Sequence, residues 1–270
     1  MYNMENILDL SVILPIKSNK EKDFEDFFSK CISSLKTQQV GFNNLIIIYK
    51  NDSELESYLK SYDYESLNVE FLPFDNDANY SEQVNLGVSN SKSEWVSFFE
   101  FDDEYSPIWF KNVKKYSEVY PEVGGFLPIV IDIDDKNSFA GFTNEATFAN
   151  NFAMEVGYLT NETLHSYQNF QSSGMAIKKS LFEEFGGFKP SVKLTFVYEY
   201  LLRLTYNSVQ IMTIPKIGYK HTNLRQDSIF WSYKFGNSKL SESEVKFWLQ
   251  TAKKEYFFTE DRQIKYLENV

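Results

Sequence analysis

Two alternating periodicities over the first hundred residues do most to narrow what this chain can fold into. Leu8 to Leu14 is an apolar, β-prone run closed by Pro15. Asp23 to Leu35 puts Phe24, Phe27, Phe28, Cys31, Ile32 and Leu35 on helical spacing. Asn44 to Tyr49 then reads as a strand, Ser53 to Tyr62 as a helix, Val69 to Leu72 as a strand ended by Pro73, Ser81 to Ser89 as a short helix, and Glu94 to Phe99 as a fourth strand. Strands that are apolar along their whole length are expected where both sheet faces are covered. This β-α-β-α-β-α-β series predicts an α/β fold, with a mostly parallel sheet and helices on both faces. Such sheets bind ligands at the carboxyl ends of their strands. Pro15, Tyr49 to Asp52, Phe74 to Asp77 and Glu100 to Asp103 all fall at that edge.

Farther along, Ile108 to Tyr120 predicts a helix and Phe126 to Ile133 a strand. Asp134 to Gln171 is too long for an ordinary connection and is expected to pack over the site or to be partly helical. Ser180 to Phe185 predicts a helix closed by Gly186-Gly187, Val197 to Tyr206 a helix and Val209 to Ile214 a strand. The tail from Ser241 to Leu267 is expected to be largely helical, packing through Val245, Trp248, Leu249, Ala252 and Tyr256.

A formal net charge of -11 argues against a duplex nucleic acid partner and against docking on an anionic membrane surface. Cys31, the single cysteine, has no internal partner and fits a reducing compartment. No run is long enough to span a membrane, and the first ten residues lack the basic start of a signal peptide. A cytoplasmic protein is expected, in the host cytoplasm if the source is viral.

The chemistry concentrates at Glu100-Phe101-Asp102-Asp103-Glu104, directly after the fourth strand. Carboxylates crowded at a strand end repel one another unless a cation lies between them. Hard oxygen ligands suit Mg²⁺ or Mn²⁺, with substrate phosphates completing the shell. The bland alternative is a solvated turn. Asp132-Ile133-Asp134-Asp135 is a second acidic strand end and ranks lower, because no aromatic–Pro pattern follows it. The chain has no G-x-G-x-x-G, no P-loop and no G-x-S-x-G elbow, which disfavours dinucleotide dehydrogenases, P-loop kinases and serine hydrolases of that type.

Four blocks in order resemble the family 2 glycosyltransferases. They are Leu10-Ser11-Val12-Ile13-Leu14-Pro15, then Asn85-Leu86-Gly87-Val88 with Glu94-Trp95-Val96-Ser97-Phe98-Phe99, then Glu100-Phe101-Asp102-Asp103-Glu104-Tyr105-Ser106-Pro107, and Gly186-Gly187-Phe188. Together they cover roughly residues 8–225. The resemblance implies a GT-A, Rossmann-like fold with a C-terminal helical extension. It divides into a nucleotide-sugar half over 1–125, an acceptor half over 126–230 and an extension over 231–270. It also implies a nucleotide-sugar donor, an acceptor hydroxyl on a glycan or other molecule, and a Mn²⁺ or Mg²⁺ ion.

Residue by residue, the resemblance makes Asp102 a metal ligand and Asp103 its support. It sets Pro15, Asn85, Glu100, Phe101 and Asp102 against the nucleotide sugar. Glu100 stands where the family has Asp. The family's aspartates after the second strand are replaced by Tyr49-Lys50-Asn51-Asp52, so Tyr49 is a candidate to stack on a base. Asp52 is either a nucleotide contact or the N-cap of the next helix. His221 is a candidate third metal ligand, and Arg225 can neutralise the leaving diphosphate. Ser172-Ser173-Gly174 either faces the acceptor or is a plain turn. The family's catalytic E-D pair, aligned on Arg203, falls on Phe196 and Val197, which cannot take a proton. Glu199 is then the nearby candidate base, or an i, i+4 ion-pair partner of Arg203, and the two roles are compatible.

The expected activity is metal-dependent, inverting transfer of a sugar, UDP-linked, to a hydroxyl. The alternatives are a catalytically inactive nucleotide- or carbohydrate-binding module of the same fold and a sugar nucleotidyltransferase. The latter lacks a glycine in its loop after the first strand, Pro15 to Lys20.

Overall fold

The structure is a computed structural model that describes residues 6–75, 78–134, 136–145, 147, 157–223, 225–226, 228–236 and 238–266. The apolar runs form strands β1 (Ile7–Ile16), β2 (Gly41–Lys50), β3 (Val69–Phe74) and β4 (Trp95–Phe98). Between them lie helices α1 (Phe24–Lys36), α2 (Ser53–Ser61) and α3 (Tyr80–Asn90). Next come β5 (Glu104–Tyr105), α4 (Trp109–Val119), β6 (Gly125–Ile133), β7 (Phe139–Thr143), β8 (Gly157–Leu159), α5 (Asn161–Ser166) and β9 (Ala176–Lys178). The chain continues through α6 (Ser180–Phe185), α7 (Phe196–Tyr206), β10 (Ile211–Thr222), α8 (Ile229–Lys234) and α9 (Glu242–Glu255).

These strands make one ten-stranded sheet in the order β3-β2-β1-β4-β9-β6-β10-β5, with β7 beside β6 and β8 beside β10. Strands β1 to β4 pair in parallel, as do β6 and β10. Strand β9 is antiparallel to both β4 and β6 and joins the two parallel groups. The helices on both faces explain why the strands are apolar throughout. Val12, Leu14, Leu45, Ile47 and Tyr49 face one core with α1, α2 and α4, while Ile13, Ile46 and Ile48 face the other with α3, α7 and α9. Gly87 lets α3 lie close on the sheet. A Cβ there would stand 2.6 Å from Ile48 Cδ1 and 2.7 Å from Ile13 Cγ2. Pairing of β1 with β4 ends at Ile13 and Phe98, so Pro15 lies where no N–H is needed toward β4.

Several boundaries differ from the sequence reading: β2 begins at Gly41, and β3 runs through Pro73 to Phe74. The strand expected at Val209 to Ile214 is β10, which runs on to Thr222. Pro215 falls where pairing with β6 shifts register between Thr213 and Ile217, so its missing N–H interrupts no regular rung. The tail helix ends at Glu255, well before Tyr266, and Leu267 lies outside the described residues. Beyond it the chain folds back, and Asp261 accepts a hydrogen bond from the Ser191 N–H (3.0 Å). The long 134–171 segment contributes β7, β8 and α5. Among the described residues, no helix is long and apolar enough to cross a membrane.

Candidate active site

Strand β4 stops at Phe98, and the chain turns with the Asp103 N–H donating to the Glu100 carbonyl (3.2 Å). Strand β5 then pairs antiparallel with β10, matching Tyr105 to Tyr219 and Glu104 to Lys220. That pairing carries His221 and Thr222 to the acidic turn, 118 residues away in sequence. Asp103 is fully buried and accepts the Thr222 N–H (2.8 Å), and its oxygens lie 3.0 and 3.2 Å from His221 Nδ1. The Ser173 hydroxyl donates to Glu100 Oε1 (2.8 Å), and the Glu100 N–H donates to the Tyr219 hydroxyl (3.2 Å). One ligand atom each from Glu100, Asp103 and His221 lies within 4.8 Å of the others.

The electrostatics of this group favour a positive charge at its centre. Burial pushes the Glu100 carboxyl up to about 7, and Asp103 and Asp102 add to the effect while His221 opposes it. Burial disfavours charging His221, but Asp103 outweighs it, with Glu100 and Asp102, and the imidazole is pushed up to about 10. Two carboxylates and an imidazole are a donor set that suits Mn²⁺ or Mg²⁺. The residues present fit such an ion; the group that could hold it contains Asp103 and not Asp102.

Asp102 is engaged elsewhere. Arg225 Nε donates to its Oδ2 (2.6 Å), and its carbonyl accepts the Thr222 hydroxyl (2.7 Å). Arg225 also pairs with Glu21 (2.6 Å) and lies 4.8 Å over the Phe101 ring, which itself packs on Phe24. Burial, then Asp103, raises the Asp102 pKa against the pull of Arg225. Beside this knot, at the ends of β1 and β2, is a cleft of about 350 Å³. Lys17, Lys20, Glu21, Lys50 and Asp52 are among the residues that line it. Asp52 caps α2, accepting the Glu54 and Leu55 N–H groups at 3.0 Å each, while it faces this cleft.

Four expected site residues stand apart from the cluster. Tyr49 is 1% exposed and edge-on to Phe71 in the core, so its ring offers no face to a base. Pro15 is a buried residue of β1. Asn85 is a staple. Its amide donates to the Phe188 carbonyl (2.7 Å) and accepts the Phe188 N–H (2.9 Å), tying α3 to the Gly186-Gly187-Phe188 turn. A Cβ on Gly187 would come within 2.3 Å of Asn85 Oδ1, so these two sequence blocks form one contact.

Glu199 is 0% exposed and holds Lys189 (2.9 Å) and Arg203 (2.9 Å). Lys189 donates onward to the carbonyls of Glu255 and Phe258, and Arg203 to that of Gly187. The carboxylate is thus the centre of a buried knot joining α7, the glycine turn and the tail. The ion pair with Arg203 is formed, and the carboxylate is closed off from solvent.

Tyr219 and Glu21 were not expected at the site, and Ser173 was expected there only as part of a turn facing the acceptor. Only the Ser172-Ser173-Gly174 turn gave a sequence signal. Gly174, at φ 72°, has no room for a Cβ, which would meet the Tyr219 ring at 2.4 Å.

An α/β sheet with a GT-A arrangement and an acidic site at its carboxyl edge defines a class, and comparisons agree with it. The chain matches the family described as glycosyl transferase family 2 over residues 11–186. It belongs to that family. A comparison with curated proteins gives no match. Among solved structures, residues 1–349 of S. aureus TarS in complex with UDP-GlcNAc superpose with a TM-score of 0.66 at 14% identity, covering 90% of this chain and 65% of that one. The complex of the same TarS fragment with UDP gives 0.62 at 15% identity, over 92% of this chain and 71% of that one. At such identities the likeness shows the fold. This chain spans about two thirds of the length of the first of these structures.

Proposed function

We propose that the protein transfers a sugar from a nucleoside-diphosphate sugar, UDP-linked, to a hydroxyl acceptor, with a divalent metal and inversion at the sugar carbon. The observation that carries this reading is the convergence of Glu100, Asp103 and His221 at the sheet edge, beside a cleft with three lysines. Family membership supports it, as does the binding of UDP and UDP-GlcNAc by TarS, of similar fold. In this reading Glu100, Asp103 and His221 hold the ion. A bound Mn²⁺ or Mg²⁺ supplies positive charge against the diphosphate as it leaves. Arg225 keeps Asp102 and Phe101 in place and brings a second positive charge to the same edge. Lys17, Lys20 and Lys50 make the cleft attractive to phosphate.

Calorimetry with UDP, with and without Mn²⁺, tests the reading. UDP is expected to bind, Mn²⁺ to tighten it, and His221→Gln to remove most of the Mn²⁺ effect. Absence of UDP binding at any Mn²⁺ concentration refutes the proposal. A second reading, an inactive binding module, is favoured by Phe196 and Val197 at the family's E-D pair and by the engagement of Glu199 in its ion-pair knot. UDP binding without release of UDP from any UDP-sugar would select it.

A further inference from the structure

With Glu199 locked, transfer needs another carboxylate to take the acceptor proton. Asp132, ranked low from sequence, is not a solvated strand end. It is 6% exposed, near the end of β6. Its Cα partner on β10 is His221, so its side chain leaves the sheet beside a member of the acidic cluster. Its partner on β7 is Gly141, and among the described residues nothing lies within 4 Å of where a Gly141 Cβ would be. Among the described residues, the space on the Gly141 side of the carboxylate is therefore open. The β6–β7 ladder shifts register between Asp132 and Ile133, an irregularity of the kind that re-aims a side chain.

The carboxylate is also held in position. The Thr143 hydroxyl donates to Oδ2 (2.6 Å) and Gln171 Nε2 to Oδ1 (3.3 Å). Gln171 is fixed in turn by Asn144, which is buried at φ 71°. Asn144 accepts the Gln171 N–H (2.9 Å) and donates to its carbonyl (3.1 Å). A non-glycine residue kept in that conformation marks a place that the surrounding structure over-determines. Two residues after Gln171, Ser173 binds Glu100, so one segment braces both carboxylates. Gln171 Oε1 is buried with no hydrogen-bond partner among the described residues, an acceptor suited to a substrate hydroxyl. Asp135, the last member of the acidic run, lies outside the described residues.

We propose that Asp132 is the base of the transfer, which rests on the sugar-transfer reading above. The acceptor hydroxyl gives its proton to a carboxylate oxygen of Asp132 as its lone pair forms the bond to sugar C1. The bond from C1 to the phosphate oxygen breaks, and its electron pair leaves with the nucleoside diphosphate. Solvent recovers the proton from Asp132 after release.

The test uses the full chain with Mn²⁺ and UDP-GlcNAc, UDP-glucose and UDP-galactose, with water as the acceptor and UDP release as the signal. Asp132→Asn is expected to lower kcat by about 100-fold or more, with KM and calorimetric UDP affinity within about twofold of wild type. Asp132→Ala is expected to regain turnover when formate is added, which a purely structural role would not produce. Gly141→Val, which fills the open space and leaves the carboxylate intact, is expected to lower kcat with UDP affinity unchanged. Wild-type turnover with Asp132→Asn within about threefold of it would overturn this proposal alone and leave the transfer reading standing. UDP binding with no UDP release by wild type would overturn both.

Discussion

Replacing Glu199 by Gln separates a structural carboxylate from a catalytic one. The change keeps the shape and removes the charge. Glu199 Oε1 meets Lys189 Nζ (2.9 Å) and Arg203 Nε (3.1 Å), and Oε2 meets Arg203 Nη2 (2.9 Å). All three side chains are almost wholly buried. Removing one partner of a buried ion pair costs about 3–5 kcal/mol, because the remaining charge has no counter-ion. Here two cations lose their carboxylate, but both keep backbone carbonyl partners, which places the cost near the lower figure, about 3 kcal/mol. At roughly 2–4 °C per kcal/mol for a chain of this size, the melting temperature should fall by roughly 6–12 °C. Scanning calorimetry reads the fall. UDP affinity and UDP release, measured well below the transition, should stay near wild type. A Glu199→Gln protein that melts within a degree or two of wild type but loses UDP release about 100-fold would refute the assignment and restore Glu199 as the base.

Gly87→Ala should destabilise by about 1–3 kcal/mol, because its Cβ meets Ile48 and Ile13 and α3 must move off the sheet; urea unfolding measures this, and a change below about 0.5 kcal/mol would sink the close-packing account. The His221 pKa in the fold, about 10, lies above its free value of 6.5, so its contribution to stability is present below 6.5 and is lost as pH rises toward 10. Glu100, raised to about 7, acts in the same direction from its free value upward. In chelator, the melting temperature should therefore decline across this alkaline range, and His221→Gln should flatten the decline; a flat wild-type curve would contradict the pairing with Asp103.

Most of the sheet was legible because its signals are local. A continuous apolar run in β2 and a helical stripe in α1 are each written within about a dozen residues. Asp52 could be read as a cap for the same reason, since its acceptors' partners are two and three residues on. The site was legible only as a location. Asp102 and Asp103 are adjacent and chemically identical, and nothing local tells which one faces His221 and which one Arg225. Tyr49 shows the opposite difficulty. An aromatic at a strand end reads as a ligand platform, but the strand's period of two turns it into the core.

By itself the sequence determined the layering of strands and helices and placed the acidic run at the carboxyl edge of the sheet. The tertiary structure alone decided what surrounds each of the acids. Pairing of β5 with β10 brought His221 to Asp103 across 118 residues, Arg225 drew Asp102 aside, Lys189 and Arg203 enclosed Glu199, and the β6 register set Asp132 beside His221. The physical reason is that backbone periodicity fixes which way a side chain points from its own element, whereas a carboxylate's chemistry depends on the charges and burial that distant elements bring to it.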